Sequence, residues 1–511
     1  MTLPLVLLNR RRIGGFNPRA ILAGSTALFW LDPSDLTTLF QDAAGTTPVT
    51  APGQPVGLAL DKSQGLVLGP ELVTNGGFDT NLTGWSFNSD WSWSNGSARY
   101  ISSGFVGAQF IGTQDVTLKA NTTYRIGFNN VNVTGGFVNI LLVINQTLNN
   151  SGTAIFTRIL TTSETYSGVF TTGSDTTLHI QFLGNGLTAG QTITIDNISV
   201  RELPGFHATA SGTSRPTYGV VPSRGRVNIL NATATLATQT RPVTAAQHTL
   251  SFRGTGTVTL TGASTAGPLV GTGANDIVSL TFTPTAGNLT LTVSGTVNDA
   301  QLELGAARGT YQLVSDAGGF NITDPVGFPT YPCHYLGFDG IDDFMVTPTI
   351  TPNADKVQVF AGVRKLSDAA RGMVTEIGAD VLSGTWSLNA PNSAATDYSF
   401  RSGGTAIITA LTSATFSAPT TNVLTGIGDI SGDLATLRVN GTQAAQNTAD
   451  QGTGNYLANP LFIGRRAGTS LPFNGQLFGL IVRFSTANLD ASLISQTERW
   501  VAQKTPGVTI A

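Results

Sequence analysis

The segment GNLTLTVS, residues 287–294, decides the fold class, because apolar and hydroxyl side chains alternate along it. Residues 257–261 and 192–195 repeat the alternation, with valine, leucine or isoleucine set against threonine. A period of two places the apolar side chains on one face of a strand and the hydroxyl side chains on the other, so that one face is buried and the other is exposed to water. We therefore predict an all-β chain that forms multiple antiparallel β-sandwiches.

Turn signals separate the predicted strands, and one helix follows them. Asn95-Gly96 and Asn440-Gly441 indicate hairpins, because both residue types accept the positive φ angles of a two-residue turn. Near the C-terminus, Asn488 is a possible helix cap and Asp490 belongs to the first turn. The apolar face of this short helix comprises Leu489, Leu493, Ile494, Trp500 and Val501.

Composition excludes several classes of protein. Charged residues are only 11% of the 511 residues, under half the usual share of about a quarter. The net charge is −3 and the densest basic cluster is the triplet Arg10–Arg12, which argues against binding nucleic acid through a broad positive field. Cys333 is the single cysteine, so an intramolecular disulfide is impossible.

Two stretches resemble known β-sandwich modules. ELVTNGGFDTNLTGW, residues 71–85, and TITIDNISV, residues 192–200, are similar to the opening and closing strands of jelly-roll carbohydrate-binding modules. FTPTAGNLTLTVSGTVNDAQLELGA, residues 282–306, looks like the β-sandwich modules of phage and prophage structural proteins. These resemblances imply two small sandwiches, of which the first has the fold of a glycan-binding module.

The flanking sequence resembles the concanavalin A-like lectin fold in its laminin G-like form. YLGFDGIDDFMVTP, residues 335–348, is similar to an early core strand of that family, and residues 460–486 are similar to its late strand pair. Residues 28–65 look like a segment that precedes such domains in prophage-encoded proteins and usually continues into His-Ala-Thr…Arg-Pro-Thr-Tyr. Here that continuation lies at residues 206–219, beyond the first sandwich.

This displacement predicts a nested organisation, in which both sandwiches are inserted into one lectin-like domain. A plain string of three domains is the alternative. The predicted parts are an N-terminal virion-anchoring segment at 1–26, a discontinuous concanavalin A-like lectin domain at 27–67, 205–223 and 311–511, a jelly-roll insert at 68–204 and a second β-sandwich insert at 224–310.

No catalytic pattern stands out in the sequence. Glucanases of the lectin-like fold carry Glu-x-Asp-x-x-Glu on one strand, since glycoside hydrolysis needs two carboxylates, and none of the six glutamates here forms it. Asp342 and Asp343 are adjacent, but adjacent residues of a strand point to opposite faces. Cys333 and His334 are neighbours, yet a buried thiol is the commoner explanation. We predict no catalytic residues and no enzyme, with a capsule depolymerase as the less favoured alternative.

Aromatic and acidic residues of the first sandwich are the candidate binding groups. Sugars stack their C–H faces on aromatic rings, so Trp91, Trp93 and Tyr100 are the predicted carbohydrate-binding residues. The alternative for each ring is core packing.

The resemblance to jelly-roll modules also implies a structural calcium ion. It would join the first strand to the last through Asp79 and Asp196, with Asn75 as a helper, although both aspartates could be turn residues. Asp339 and Asp342 are weaker calcium candidates in the lectin-like domain. No other cofactor is expected.

Together these features predict a bacteriophage-like virion appendage, either a tail fibre or a head spike, that binds host cell-surface polysaccharide. Weak sugar contacts gain strength through multivalency, so a homo-oligomer is expected. The run Leu3–Leu8 is too short for a signal core or a membrane span, which predicts no membrane insertion and release from the bacterial cytoplasm by lysis. Because the same apolar run would be costly to leave in water, we expect the N-terminus to attach to other virion proteins. The alternative is a purely structural decoration or collar protein that binds only other virion proteins.

Overall fold

The computed structural model describes residues 16–134, 140–145, 154–160, 162–174, 176–221, 227–309, 311–314, 332–378 and 383–510. The first fifteen residues of the predicted anchoring segment lie outside this description. Within it no helix is both long and apolar enough to cross a membrane. The chain divides into two compact units, residues 1–219, 334–505 and 510–511 in one, and residues 220–333 and 506–509 in the other.

The described elements are almost all strands, which confirms the predicted all-β class. Two 3-10 helices, at Pro18–Leu22 and Leu36–Thr38, and one α-helix complete the structure. In chain order the strands and the helix are β1 (Ser25–Leu31), β2 (Leu39–Phe40), β3 (Leu58–Ala59), β4 (Ser86–Phe87), β5 (Trp91–Ser94), β6 (Ser97–Ile101), β7 (Ala108–Thr117), β8 (Thr123–Thr134), β9 (Ile140–Asn145), β10 (Ala154–Leu160), β11 (Glu164–Thr171), β12 (Thr177–Asn185), β13 (Thr192–Glu202), β14 (Ala208–Thr209), β15 (Thr217–Val221), β16 (Gln239–Val243), β17 (His248–Gly254), β18 (Thr257–Gly262), β19 (Leu269–Val270), β20 (Gly273–Phe282), β21 (Gly287–Ser294), β22 (Val297–Leu304), β23 (Cys333–Asp339), β24 (Met345–Ile350), β25 (Lys356–Lys365), β26 (Met373–Ile377), β27 (Thr385–Asn389), β28 (Ser399–Gly403), β29 (Ile407–Leu411), β30 (Thr420–Asp429), β31 (Leu434–Val439), β32 (Thr442–Asn447), β33 (Asn459–Ile463), β34 (Asn474–Ser485) and α1 (Ala491–Ala502).

Two long antiparallel sheets draw their strands from separated parts of the chain. Sheet 1 has the order β15-β23-β34-β25-β30-β31-β32, with β1 also paired to β34. Sheet 2 has the order β2-β3-β14-β24-β33-β26-β27-β28-β29. The sheets pack face to face, as Trp386 of sheet 2 lies 6.3 Å from Phe484 of sheet 1 between ring centroids.

One register row runs along the outer face of sheet 2, the face directed away from sheet 1. The row begins with apolar side chains and ends with polar ones, and its residues are paired strand by strand. From edge to edge it comprises Phe40, Leu58, Thr209, Val346, Phe462, Glu376, Ser387, Arg401 and Thr409.

The jelly-roll module is a second sandwich in the same compact unit. Its sheets have the orders β10-β9-β12-β7-β4 and β11-β8-β13-β6-β5. The alternation predicted around residues 192–195 is present in β13, where Ile193 and Ile195 are buried in the module core. Asn95 and Gly96 have φ angles of 48° and 76° between β5 and β6, so the predicted hairpin is confirmed.

The module is fixed to sheet 2 by apolar and polar contacts. Leu58 and Leu60 form a buried cluster with Val169 and Leu203 of the module. Beside it, the buried Asp61 carboxylate accepts the backbone N–H of Phe206 at 2.9 Å. These contacts hold the end of the module's last strand against sheet 2.

The second compact unit is a smaller sandwich. One sheet has the order β16-β21-β18-β19 and the other the order β20-β17-β22. In β21, Leu289 and Leu291 are fully buried while Thr292 and Ser294 are exposed, as the alternation of residues 287–294 predicts. The core lies between the two sheets and includes Leu250 and Leu302.

Helix α1 is confirmed, but its cap differs from the prediction. Asp490 caps the helix by accepting the backbone N–H of Ser492 at 2.6 Å, whereas Asn488 donates its amide to Asp429 at 2.9 Å. Asp490 is the better acceptor because its carboxylate carries charge at the positive end of the helix. Glu498 in α1 is fully buried and pairs with an arginine of β31.

Candidate functional site

Trp93 is the one tryptophan whose side chain is exposed on the surface. All six tryptophans lie in the described ranges; Trp93 is 45% exposed and the other five are buried or half-buried. Its strand, β5, is held by the hairpin with β6, where Trp93 pairs with Ala98. The indole N–H donates to the carbonyl oxygen of Phe78 at 2.7 Å, which fixes the ring in place.

Trp91 and Tyr100 lie in the module core, so neither can stack on a sugar. Their exposed fractions are 7% and 0%, and their ring centroids are 5.3 Å apart. Trp91 also stacks on Phe87 at 4.4 Å. Both residues are directed between the two sheets in the middle of the sandwich, where large rings fill the interior. For these two residues core packing, not ligand binding, is the correct interpretation.

Trp93 faces the same way along β5 as Trp91 and yet is exposed. It is two residues closer to the hairpin turn, at the end of an edge strand of the module. Sequence spacing gives the face of a strand but not the point where the partner sheet ends.

Asp79 and Asp196 meet at the same end of the module. Asp79 follows Phe78, the residue whose carbonyl holds Trp93, and Asp196 begins the bulge in β13. Burial raises the pKa of Asp196, and the neighbouring negative charge of Asp79 raises it further, while the backbone N–H of Asn197 opposes the shift. The structure therefore brings the predicted metal residues Asp79 and Asp196 together, and Asp79 follows the residue that accepts the hydrogen bond of Trp93.

The sequence analysis missed Asn197, which has a φ of 53° in the β13 bulge. A methyl group added to Gly77 would lie 3.7 Å from both carboxylate oxygens of Asp79 and 3.9 Å from Oδ1 of Asn197, so these acceptors surround one small cradle. The predicted helper Asn75 instead donates its amide to the carbonyls of Asn81 and Thr83, at 2.9 and 3.0 Å.

These groups fit part of a calcium shell. Asp79, Asp196 and Oδ1 of Asn197 would be the side-chain ligands, whereas calcium takes six to eight oxygens. Both oxygens of Asp196 already accept hydrogen bonds from Asn197, at 2.7 and 3.0 Å. The residues can hold a divalent cation with help from carbonyls and water.

A second acidic group lies in the turn between β23 and β24. Carboxylate oxygens of Asp339, Asp342 and Asp343 lie within 4.8 Å of one another. Adjacent aspartates were expected on opposite faces of a strand, which is wrong here because Gly340, with a φ of 77°, turns the chain and ends β23. Burial, together with the charges of Asp339 and Asp342, raises the pKa of Asp343 to about 6.

Cys333 and His334, neighbours at the start of β23, lie in different surroundings. Cys333 is buried, whereas Nδ1 of His334 lies 2.6 Å from the hydroxyl of Tyr218. His207 is also buried, which lowers its pKa to about 4 and keeps it neutral. Its Nδ1 accepts the backbone N–H of Asp61 at 2.9 Å, so the role of His207 is structural.

No protein-family profile matches the sequence, and no characterised protein is found as a relative by sequence comparison. Among solved structures, a Ruminococcus gnavus sialidase CBM40 bound to α2,3-sialyllactose is 18% identical, with a TM-score of 0.24 over 28% of this chain and 83% of that one. A heptameric SAP-like pentraxin from Limulus polyphemus is 10% identical, with a TM-score of 0.26 over 31% and 79%.

The receptor-binding domain of botulinum neurotoxin type G is also 10% identical, with a TM-score of 0.26 over 34% of this chain and 43% of that one. At these TM-scores no property of the three proteins transfers to this chain.

Proposed function

We propose that the chain is a glycan-binding adhesin, carried as an appendage of a bacteriophage-like particle, and that Trp93 is the platform on which the sugar stacks. The observation that carries the proposal is the exposure of Trp93, whose indole N–H bonds to the residue that precedes Asp79. An exposed aromatic face with polar acceptors at its edge is the chemistry that sugars require.

The platform is rigid, which favours binding. The hydrogen bond from Trp93 to Phe78 and the hairpin between β5 and β6 hold the ring before any ligand arrives. Ordering a flexible side chain costs about 0.5–1.5 kcal/mol on binding, and a fixed ring avoids that cost. Asp79, which follows Phe78 in the chain, is exposed and can accept hydrogen bonds from sugar hydroxyls.

The attachment of the module supports the role of an adhesin. The cluster of Leu58, Leu60, Val169 and Leu203 fixes the module to sheet 2, so the lectin-like sheets would present Trp93 at a constant position. A particle that carries many copies would then bind a polysaccharide at many points. The resemblance of residues 28–65 to a segment of prophage-encoded proteins, and of residues 282–306 to modules of phage structural proteins, supports a place on a virion.

The experiment is a screen of bacterial polysaccharides and oligosaccharides with the full chain, displayed multivalently on beads. Wild type should retain a small set of glycans, and Trp93→Ala should lose them. Val106→Ala is the matched control, because Val106 is an apolar residue of the same module that is 97% exposed.

Two other outcomes are informative. If wild type retains no glycan at high avidity but binds particles that lack this protein, the chain is a structural decoration protein. If incubation with a retained polysaccharide releases reducing ends, and replacing one carboxylate stops the release, the chain is a depolymerase. We propose that no reducing ends appear.

A further inference from the structure

Five asparagines of the chain are followed directly by glycine, and one of the five differs from the others in its side chain. The pairs begin at Asn75, Asn95, Asn185, Asn440 and Asn474. An asparagine before glycine can modify itself, because the glycine nitrogen has no side chain beside it and can approach the side-chain carbonyl carbon of the asparagine. The reaction requires an asparagine side chain that is free to turn and a glycine nitrogen that is free to attack.

Asn75 and Asn440 have positive φ angles, of 52° and 50°, and fixed side chains. The amide of Asn440 donates to Oδ1 of Asn422 at 2.8 Å, and its own Oδ1 accepts the backbone N–H of Val423 at 2.8 Å. The amide of Asn75 donates to two backbone carbonyl oxygens, at 2.9 and 3.0 Å. Neither side chain can turn towards the following glycine without breaking these hydrogen bonds.

At Asn185 and Asn474 the backbone of the following glycine is held by neighbouring strands. The N–H of Gly186 donates to the carbonyl oxygen of Gly107 at 2.9 Å. Gly475 belongs to β34 and is paired on one side with β23 and on the other with β25. Attack by either nitrogen would require the strands to separate.

Asn95 has the backbone conformation of Asn75 and Asn440 but a free side chain. Its φ is 48°, it is exposed, and its side chain makes no hydrogen bond to a described residue. A methyl group added to Gly96 would meet no atom within 4 Å, so the space around this glycine is open. The β5–β6 ladder ends at the pair of Ser94 with Ser97, and the nitrogen of Gly96 lies beyond it. Asn95 therefore meets both conditions.

We propose that Asn95 is a site of spontaneous modification, which converts it to aspartate and isoaspartate and weakens the Trp93 platform. The backbone nitrogen of Gly96 forms a bond to Cγ of Asn95, the bond from Cγ to Nδ2 breaks, and the proton of Gly96 leaves with the ammonia. Water then opens the cyclic imide. Attack of water at Cγ gives aspartate, and attack at the backbone carbonyl carbon gives isoaspartate, in which the chain continues through the former side chain.

Both products change the hairpin that holds Trp93, so the effect on binding rests on the proposed function of that residue. Asn95 is two residues from Trp93, which pairs with Ala98 across the hairpin. Each product adds a negative charge at the turn, and isoaspartate lengthens the backbone of a two-residue turn whose length sets the register of the strands. Glycan affinity should therefore fall by roughly threefold or more as the position of the ring changes.

The experiment stores the folded full chain in mildly alkaline buffer, which promotes loss of the Gly96 proton, and follows all five Asn-Gly peptides by mass spectrometry. Enzymatic methylation identifies isoaspartate. Asn95 should be modified well before the other four. The chain unfolded in guanidinium chloride is the control, because unfolding frees every pair and all five should then react.

Two results would overturn the assignment of the site. One is modification of Asn75 or Asn440 as fast as Asn95 in the folded chain. The other is an Asn95 that stays unmodified in the folded chain while the unfolded chain reacts.

Asn95→Gly is the matched variant for the effect on binding, because glycine accepts the positive φ and has no amide to react. On a glycan that fresh wild type retains, stored wild type should lose affinity as the modified fraction grows, and stored Asn95→Gly should keep it. Equal loss in both proteins, or unchanged affinity of fully modified wild type, would overturn the effect on Trp93. The mass measurement needs no glycan, so the modification can hold where glycan binding fails, and the reverse.

Discussion

The indole nitrogen of Trp93 lies 2.7 Å from the carbonyl oxygen of Phe78, the residue that precedes Asp79. This bond ties the orientation of the ring to the loop that carries the carboxylate. Trp93→Phe keeps an aromatic face but removes the donor, so we expect glycan affinity to fall by roughly three- to tenfold without being lost. Titration of the best-retained glycan against both proteins measures this, and unchanged affinity would show that the bond does not orient the platform.

Trp91→Ala tests the assignment of Trp91 to the core. The side chain packs among Phe87, Tyr100 and Phe182, so its removal should lower the free energy of unfolding by about 3–5 kcal/mol. Trp93→Ala should cost about half as much or less, because the ring is partly exposed. Urea denaturation followed by circular dichroism compares the two variants, and a larger loss for Trp93→Ala would contradict the assignment.

Much of the fold could be predicted from local pattern. Strand β21 has the period-two alternation and Asn440-Gly441 has the positive φ angles of a hairpin, because both features depend on neighbouring residues alone. The cap of α1 was predicted at Asn488, two residues before the observed cap Asp490. Both residue types are good caps, and only the contact of Asn488 with Asp429 decides between them.

The candidate site was less predictable, because it depends on where sheets end. Asp79 and Asp196 could be expected together from the resemblance, but the period of β5 gives Trp91 and Trp93 the same face and does not reveal their different burial. The pairing of Leu58 with Thr209 and of Thr209 with Val346 joins strands that are far apart in sequence and meet only in the tertiary fold. No local motif marks such a row.

We expect the contact between Asp32 and Lys504 to be sensitive to acid. Burial alone would raise its pKa, but the charges of Lys504 and Lys62 and the hydrogen bond from Lys504 lower the pKa to about 2. A lowered carboxylate pKa stabilises the fold above the unfolded value of 3.8, and this stabilisation is lost as pH falls through 2.

Wild type should therefore exceed Asp32→Asn in stability by about 2 kcal/mol at pH 6. The difference should shrink from pH 4 to pH 2, as measured by urea denaturation at each pH. Asp276→Asn, an exposed carboxylate of the other unit, is the control and should show no such trend. A difference that is independent of pH would contradict the account.

Calcium should stabilise the jelly-roll module through Asp79 and Asp196. Burial and the charge of Asp79 both raise the pKa of Asp196, and a divalent cation would offset the repulsion between the two carboxylates, so millimolar calcium should raise the melting temperature of wild type relative to EDTA. Asp196→Asn should abolish the increase and Asp339→Asn should preserve it. If only Asp339→Asn abolishes the increase, calcium binds in the turn after β23 instead.

Biolayer interferometry on an immobilised polysaccharide that wild type retains tests the adhesin account most directly. The account predicts saturable binding by wild type and by Val106→Ala, and less than one-tenth of that affinity for folded Trp93→Ala. Equal affinity of all three proteins would contradict it, because the one exposed tryptophan would then contribute nothing to recognition.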